Sequence, residues 1–508
     1  MRHRARRAAS LGLMADPDLP SPLHAQIGGQ LRRAILERRL AAGTKLPSSR
    51  LMAEELDCAR GTVLSALDPL IAEGYLVSRA GAGVFVATDL PDEMLSPPGR
   101  GVPATARDPG RDDGVILPEP ADGDAIAFPL GQPDRHAFPF PLWARLMERE
   151  WRNPPWRIAG MPHPFGHEGL RSAIAAYLGA ARGFSCDPEN VVITSGVRES
   201  VSLFARIVLR AEDRAWVEDP GYPGVTQALA GIRIRAVPVP LDPFGFSPET
   251  AMATAPDARM AIVTPSHQYP LGIVLPLQRR LALLAWAEQH GGWIVEDDFD
   301  GEYRYSGRPL APLRALDRAG RVAYLGNFSK ILFPSLRLSY LVLPAPLAGA
   351  GGALMAEGPA TASLLGQGAL ARFIADGHLA AHLRRTRLLY ARRQQALIAS
   401  AERHLEGLLD IAADPGGMHV IARPHPDLAP IFDDVAATRA AAAMGLRTSP
   451  LSRCYHGPGA PHGLILGYAG TPEAEIDLAV RRLTDVMKTL RPAQPARRAD
   501  TDERSGWE

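Results

Sequence analysis

The stretch Arg321-Val-Ala-Tyr-Leu-Gly-Asn-Phe-Ser-Lys330-Ile-Leu-Phe-Pro-Ser-Leu-Arg337-Leu-Ser-Tyr340 decides how the body of this chain folds. Its apolar run, Val322 to Leu325, reads as a buried strand feeding a polar turn that carries Ser329 and Lys330. A second apolar run, Leu338 to Leu343, follows. Lysine is scarce: the chain has only Lys45, Lys330 and Lys488, and arginine supplies the remaining positive charge. Arginine stays protonated, whereas a partly buried lysine gives up its proton and becomes a nucleophile. Lys330 is therefore the candidate carbonyl-trapping amine of the body. The alternative is a surface lysine on a loop.

Outward from that stretch, strands and helices alternate from Ala125 to about residue 345. Strands are expected at 191–194, 215–218, 234–239, 260–264 and 293–297, and helices at 168–181, 197–208 and 277–289. Such alternation implies an α/β domain with a largely parallel, buried sheet and ligands at the carboxyl ends of its strands. Beyond 345 the pattern turns helical, with Arg384 and Tyr390 in a long charged segment, and a smaller α+β piece passes through 417–420 and 464–466. The body is expected to span 125–492, with a frayed polar tail at 493–508.

Three features sit at expected strand ends. Asp297 closes a strand of Trp, Ile and Val, Lys330 follows the next strand, and Ser195-Gly196-Val197 opens a helix whose free amides suit a phosphate. An amine, a carboxylate for a ring nitrogen and a phosphate cradle are the parts that a pyridoxal phosphate site needs. Tyr222, in Gly221-Tyr222-Pro223, is available to lie against a flat cofactor, and Arg337 can pair with phosphate bidentately. Taken singly, each has a plain structural role, a cap or a turn.

The amino-terminal part differs. Its first 88 residues hold 12 Arg and Lys against 8 Asp and Glu, although the whole chain carries only +1. Residues 1–19 read as a disordered lead-in. From Pro22, apolar residues Leu23, Ile27, Leu31 and Ile35 mark a helix ended by Gly43; Ser48 then caps a second helix with Leu51, Met52 and Leu56 facing inward. A third helix carries Val63, Leu64, Leu67, Leu70 and Ile71, stops at Gly74, and leads into a hairpin turning at Gly81 and Gly83. Three helices and a hairpin in residues 20–88 make a winged helix-turn-helix. Arg60 and Thr62 open the helix that would enter a major groove, Arg50 reaches phosphate or a base edge, and Ser48 lies beside it. The alternative is a small helical docking domain with incidental arginines. Residues 89–124 are rich in proline, glycine and aspartate and read as a linker.

Residues 20–88 closely resemble the GntR family of bacterial regulators, through Gly43-Thr-Lys-Leu-Pro-Ser-Ser-Arg50, Ala72-Glu-Gly-Tyr-Leu-Val-Ser-Arg79 and Gly81-Ala-Gly-Val-Phe-Val86. Gly61 departs from the family by placing a weak helix former early in the third helix. The body resembles the fold-type I aminotransferases, and the whole chain resembles the MocR/GabR regulators. Thr264-Pro-Ser-His-Gln-Tyr-Pro-Leu-Gly272, Ile294-Val-Glu-Asp-Asp-Phe-Asp-Gly-Glu-Tyr303 and the stretch quoted first carry that likeness. The resemblance implies that Lys330 holds pyridoxal phosphate covalently, Asp297 pairs with its ring nitrogen and Tyr222 stacks on the ring. Gly196, Val197, Ser329 and Arg337 would hold the phosphate. His267 and Gln268 would approach the ring and substrate, and Arg453 would meet an effector carboxylate, the alternative being a surface salt bridge. It also implies a head-to-tail homodimer on repeated DNA half-sites.

Several residues depart from the aminotransferase pattern. Phe299 stands where a tyrosine is usual, Asn327 replaces a small hydroxyl residue, Arg198 and Glu199 replace paired glutamines, and Ile465 occupies the place of a carboxylate-binding arginine. The expected function is a DNA-binding regulator that senses an amine or amino acid by transimination at Lys330. The rivals are an aminotransferase with a vestigial head and a regulator whose body only dimerises. Three widely spaced cysteines, Cys58, Cys186 and Cys454, form no disulfide framework or zinc set, and no apolar run approaches a membrane span. A cytoplasmic location is expected.

Overall fold

The computed structural model describes residues 6–8, 11–19, 21–88, 127–152, 160, 163–306, 311–357, 362–457 and 459–490. The chain divides into two compact units, Met1–Leu117 and Pro118–Glu508. The expected linker at 89–124 and tail at 493–508 lie outside the described residues.

The first unit packs helices Leu23–Leu36, Ser49–Glu55 and Arg60–Ala72 around one core that includes Ile27, Leu31, Met52, Leu56, Val63, Leu67 and Leu70. Ser48 caps the second helix, its Oγ accepting the Leu51 N–H at 3.2 Å. The first and third helices cross closely at Gly28, where a Cβ would stand 3.3 Å from the Ala66 carbonyl oxygen. Strands β3 (Leu76–Arg79) and β4 (Gly83–Val86) form the wing, with Gly81 and Gly83 at φ +71° and +110° in its turn.

Three expectations for this unit need correction. Leu51, expected to face inward, is 44% exposed because a stripe through 52, 53 and 56 already fills the core; Leu64 in the third helix is 39% exposed beside the buried stripe through 63, 66, 67 and 70. The first helix ends at Leu36 instead of reaching Gly43, and Arg38 turns the chain with φ 57°. Residues 43–46 instead pair with the wing: the Val86 N–H donates to Thr44 O at 2.9 Å and the Leu46 N–H to Val84 O at 2.8 Å.

The third correction concerns the lead-in, whose described residues, 6–8 and 11–19, include a docked hairpin. Strands β1 (Arg6–Ala8) and β2 (Leu13–Ala15) pair antiparallel. Leu13 and Ala15 are buried in the head core, and Gln30 clasps the Met14 backbone from both sides, at 2.9 and 2.6 Å. Leu13→Ala is expected to cost the head about 2–4 kcal/mol, as for other buried leucines. Thermal unfolding of the full chain checks this: the head's transition drops by several degrees. An unchanged transition would restore a disordered lead-in.

The second unit is built on a seven-stranded sheet in the order β5-β11-β10-β9-β8-β6-β7. Its strands are β5 (Val191–Thr194), β6 (Arg214–Asp219), β7 (Arg235–Pro240), β8 (Met260–Val263), β9 (Trp293–Asp297), β10 (Val322–Asn327) and β11 (Ser339–Val342). All are parallel except β11, which runs antiparallel to both β5 and β10. Helices cover both faces, so β5, β8, β10 and β11 are buried throughout and consist of apolar runs rather than alternating patterns. Ser339 opens β11 and is paired on one side with Thr194 and on the other with Asn327.

The helix His378–His404 leads to a four-stranded antiparallel sheet, β12 (Leu409–Ile411), β13 (His419–Pro424), β14 (Ser449–Pro450) and β15 (Leu464–Gly467). Helix Glu473–Leu490 packs back on His378–His404. Among the described residues, no helix is long and apolar enough to cross a membrane.

Candidate cofactor cleft and DNA-binding face

The carboxyl ends of β5, β6, β9 and β10 converge on a cleft of about 460 Å³. It is lined, among others, by Gly196, Val197, Tyr222, Asp297, Ser329, Lys330 and Arg337, so seven of the sequence-expected residues meet in one place. Parallel strands place their ends side by side, which explains how residues so distant in sequence assemble.

Lys330 lies in a four-residue helix, Phe328–Ile331, and Asn327 caps it by accepting the Ser329 N–H at 2.9 Å. The departure at Asn327 is thus a helix cap. Lys330 Nζ donates to the Gly131 carbonyl at 3.2 Å. Burial lowers the proton affinity of this amine, and Asp300 and Asp297 oppose the shift. Gly131, at φ +63°, was not expected from the sequence. Any Cβ there would fall 2.2 Å from Nζ, so a side chain would displace the lysine amine from this position. Its only sequence signal is a glycine in an irregular Leu130-Gly-Gln-Pro133 segment.

Asp297 is 5% exposed, and its Oδ1 has no hydrogen-bond partner among the described residues. Burial, with Asp300 and Glu218 adding to it, pushes this carboxyl up to about 7, against the pull of Lys330. A buried carboxylate oxygen without a donor, beside a desolvated amine, fits a cofactor whose ring nitrogen carries a proton. The phosphate end fits too. Helix Val197–Val208 starts at Gly196 with no side-chain cap, leaving its first amides unsatisfied, and Ser329 and Arg337 stand nearby in the same lining. Glu199 accepts the Ser195 N–H at 2.5 Å and so holds the turn, while Arg198 is exposed in the cleft wall.

Tyr222 is 43% exposed and lies over Gly224, where a Cβ would meet its ring at 2.4 Å. Tyr269 meets it edge-on at 5.9 Å, and Phe299 lies 5.9 Å from Tyr269. Tyr269, Met418 and His419 line the cleft and were missed by the sequence reading, since nothing in their local pattern marks a ligand wall. Ile465 is fully buried against Leu451 and Cys454, so no cation enters from that strand.

Three expected residues stay out of the cleft lining. Gln268 is a buried pin: its Nε2 donates to Pro220 O at 2.9 Å and its Oε1 accepts the Leu271 N–H at 3.0 Å. His267 is clamped between Asp300 and Asp414, at 3.0 and 3.1 Å, and lines a second cavity. The turn directs Tyr269 into the cleft in their place. Arg453 is exposed in a short turn, Leu451–Cys454, and does not line the cleft.

On the head, Arg50 is 85% exposed at its side chain and 4.0 Å from Glu54, a contact too solvated to restrain it. Arg60 is held by Ser49, its Nε donating to Oγ at 3.1 Å, and Thr62 is half-buried one turn into the helix. Gly61 has open space around its missing Cβ. The wing carries stacked charge, with Arg79 4.8 Å and Lys45 5.9 Å from the Phe85 ring. Ser48 is committed to its helix cap.

Known proteins match both units. Residues 23–86 match the bacterial regulatory proteins of the gntR family, and 134–483 match aminotransferase class I and II. The chain is 41% identical over 464 residues to the probable rhizopine catabolism regulatory protein MocR of Rhizobium meliloti, covering 90% of this chain and 92% of that one. It is 33% identical to the pyridoxine biosynthesis regulator PdxR of Corynebacterium glutamicum, over 94% of this chain and 99% of that one. Among solved structures, kynurenine aminotransferase from Pyrococcus horikoshii superposes with a TM-score of 0.65 at 25% identity, over 72% of this chain and 92% of that one. Head and body together, the chain belongs to the MocR-type transcription regulators, in which a GntR DNA-binding domain is joined to an aminotransferase-like domain that takes pyridoxal phosphate.

Proposed function

We propose that this regulator reads an amine or amino acid at Lys330 and passes the result to its DNA-binding head. The observation that supports this most is the meeting of Lys330 and the unpartnered Asp297 carboxylate in one cleft, with apolar Ile465 in place of a carboxylate-binding arginine. Pyridoxal phosphate, when bound, supplies a carbonyl carbon at which one amine can replace another. Lys330 would hold it, Asp297 would face its ring nitrogen, and Tyr222 would lie against the ring. Gly196, Val197, Ser329 and Arg337 would hold its phosphate. Once exchanged for an effector amine, Lys330 Nζ would be free to change its contact with the Gly131 carbonyl, and the segment at Gly131 lies near the start of the body. Regulation then requires that the effector favour one of two arrangements of the protein.

The chain would act as a cytoplasmic homodimer, head to tail, and a two-fold arrangement calls for repeated half-sites in the DNA. Arg60, Arg50 and the wing at Gly81 and Gly83 would meet the duplex. The reading is tested by titrating amines into the cofactor-loaded chain while following visible absorbance and the mobility of an operator fragment. One class of amine should change both over the same concentration range. An amino acid that converts the cofactor fully to its amine form while leaving DNA binding untouched would favour an aminotransferase with a vestigial head.

A further inference from the structure

We propose that a second cavity, separated from the cofactor cleft by the His267 side chain, binds an acidic amino acid through Glu302 and Arg384. This cavity also has a volume of about 460 Å³. It lies between the 300–304 loop, helix His378–His404, the end of helix Glu168–Arg182 and the 415–417 turn. Of the residues expected at the cofactor, only His267 lines it.

The wall is polar in a way that a purely structural cavity does not explain. Glu302 is 5% exposed, and while its Oε1 accepts the Tyr177 hydroxyl at 3.1 Å, its Oε2 has no partner among the described residues. Asp300 Oδ1 and Ser266 Oγ are likewise buried and unpartnered at this wall. A buried carboxylate oxygen left without a donor is costly, and an ammonium group satisfies it. Cations surround the same space. Arg182 is engaged by Asp298 and Tyr324, and Arg387 donates from Nε to the Glu302 carbonyl at 2.8 Å. Arg384 is exposed at the wall and makes no ion pair with another described residue. With Arg304 also present, the groups not already neutralised are mainly guanidinium, so the net demand is for carboxylate as well as amine. A molecule with one ammonium and two carboxylates meets both.

The His267 ring lines this cavity and lies next to residues of the cofactor cleft. One nitrogen faces Asp300 and the other Asp414, and the ring stands 6.2 Å from Phe299 and 5.8 Å from His419, both of which line the cleft. Gly272 and Gly417 must be bare for this clamp to form, since a Cβ would fall 2.0 Å from Asp414 Oδ2 and 2.3 Å from His267 Cε1. An ammonium group at Glu302 shares this cavity with Asp300, a carboxylate whose field already reaches Asp297 and Lys330. The site stands without the cofactor; only this coupling rests on the function proposed above.

The test uses the full chain loaded with pyridoxal phosphate and fixed to Lys330 by borohydride, which closes the cofactor cleft to amine exchange. L-glutamate is titrated by calorimetry, and the fluorescence of the reduced cofactor is followed in parallel. One glutamate per chain is expected to bind and change the fluorescence. Glu302→Gln and Arg384→Ala should each weaken binding about tenfold or more, as loss of a charge-assisted hydrogen bond does. Arg384 is exposed, so its variant remains informative if Glu302→Gln fails to fold. Failure to bind the reduced protein overturns the proposal, as does binding that both variants leave within about twofold. Glutamate that binds before reduction but not after belongs to the cofactor cleft, which removes the second site and leaves the function at Lys330 intact. Inorganic phosphate binding in glutamate's place, unaffected by Glu302→Gln, would also overturn it as an anion subsite only.

Discussion

Lys330→Ala is expected to abolish the visible absorbance that the chain gains with pyridoxal phosphate, together with every amine-dependent change in that absorbance. No other side chain can substitute. Lys45 lies in the head over Phe85, and Lys488 is exposed near the end of helix Glu473–Leu490. Arg198 and Arg337 line the cleft, but a guanidinium group does not attack a carbonyl. The fold should survive, because Asn327 still caps the short helix and Lys330 has no ion pair among the described residues. Losing the contact with Gly131 costs about 1 kcal/mol, offset in part by removing a buried amine. The variant should therefore melt within a few degrees of wild type and bind the operator without responding to amines. A visible band retained at full strength would refute the assignment of Lys330.

Asp297→Asn should have opposite effects on the cofactor-free and cofactor-loaded protein. Without cofactor, the folded carboxyl titrates near 7, and the unfolded one near 3.8. Between these values the folded chain binds the extra proton, so stability is present below about pH 4 and is lost as pH rises through 7. The shift corresponds to up to about 4 kcal/mol, shared with Glu218, which burial also pushes up to about 7. Asparagine has nothing to ionise. At pH 8 the cofactor-free variant should melt above wild type, and its melting temperature should depend less on pH between 4 and 7. With cofactor the order should reverse, because asparagine offers no charge to the ring nitrogen that Asp297 is proposed to face, and affinity should fall about 10- to 100-fold. Melting curves at pH 5 and 8, with and without pyridoxal phosphate, read both halves. A variant less stable than wild type in the cofactor-free state at pH 8 would show that Asp297 is not a strained carboxylate.

Much of this was legible because strand ends in an α/β sheet are marked by where apolar runs stop. The runs at 191–194 and 293–297 coincide with β5 and β9, and Asp297 and Ser195 follow from that alone. Position along a strand does not reveal which way a turn residue points. His267 and Gln268 were expected at the cofactor; they do not line the cleft and bond instead to Asp300, Asp414 and Pro220, none of them near in sequence. Gly131 was invisible for a related reason: its role is to lack a side chain where Lys330 arrives from 199 residues away. In the head, Leu51 and Leu64 are apolar residues beyond what one helical stripe can bury, and Leu13 and Ala15 are too few to mark a strand in the lead-in by periodicity.

The reversed strand β11 bears on how this architecture tolerates insertions and deletions. Ser339 pairs with Thr194, the last residue before the Ser195-Gly196-Val197 turn, and with Asn327, the cap of the lysine helix. One residue thus serves as a common origin from which both halves of the cleft are measured. Adding or removing a residue between Ile331 and Leu338 would shift that origin and turn every side chain of β11 to the opposite face. Connections at the amino ends of the parallel strands carry no such constraint. Length variation among homologous chains should therefore accumulate at that edge of the sheet and be absent from the segment joining Lys330 to Ser339.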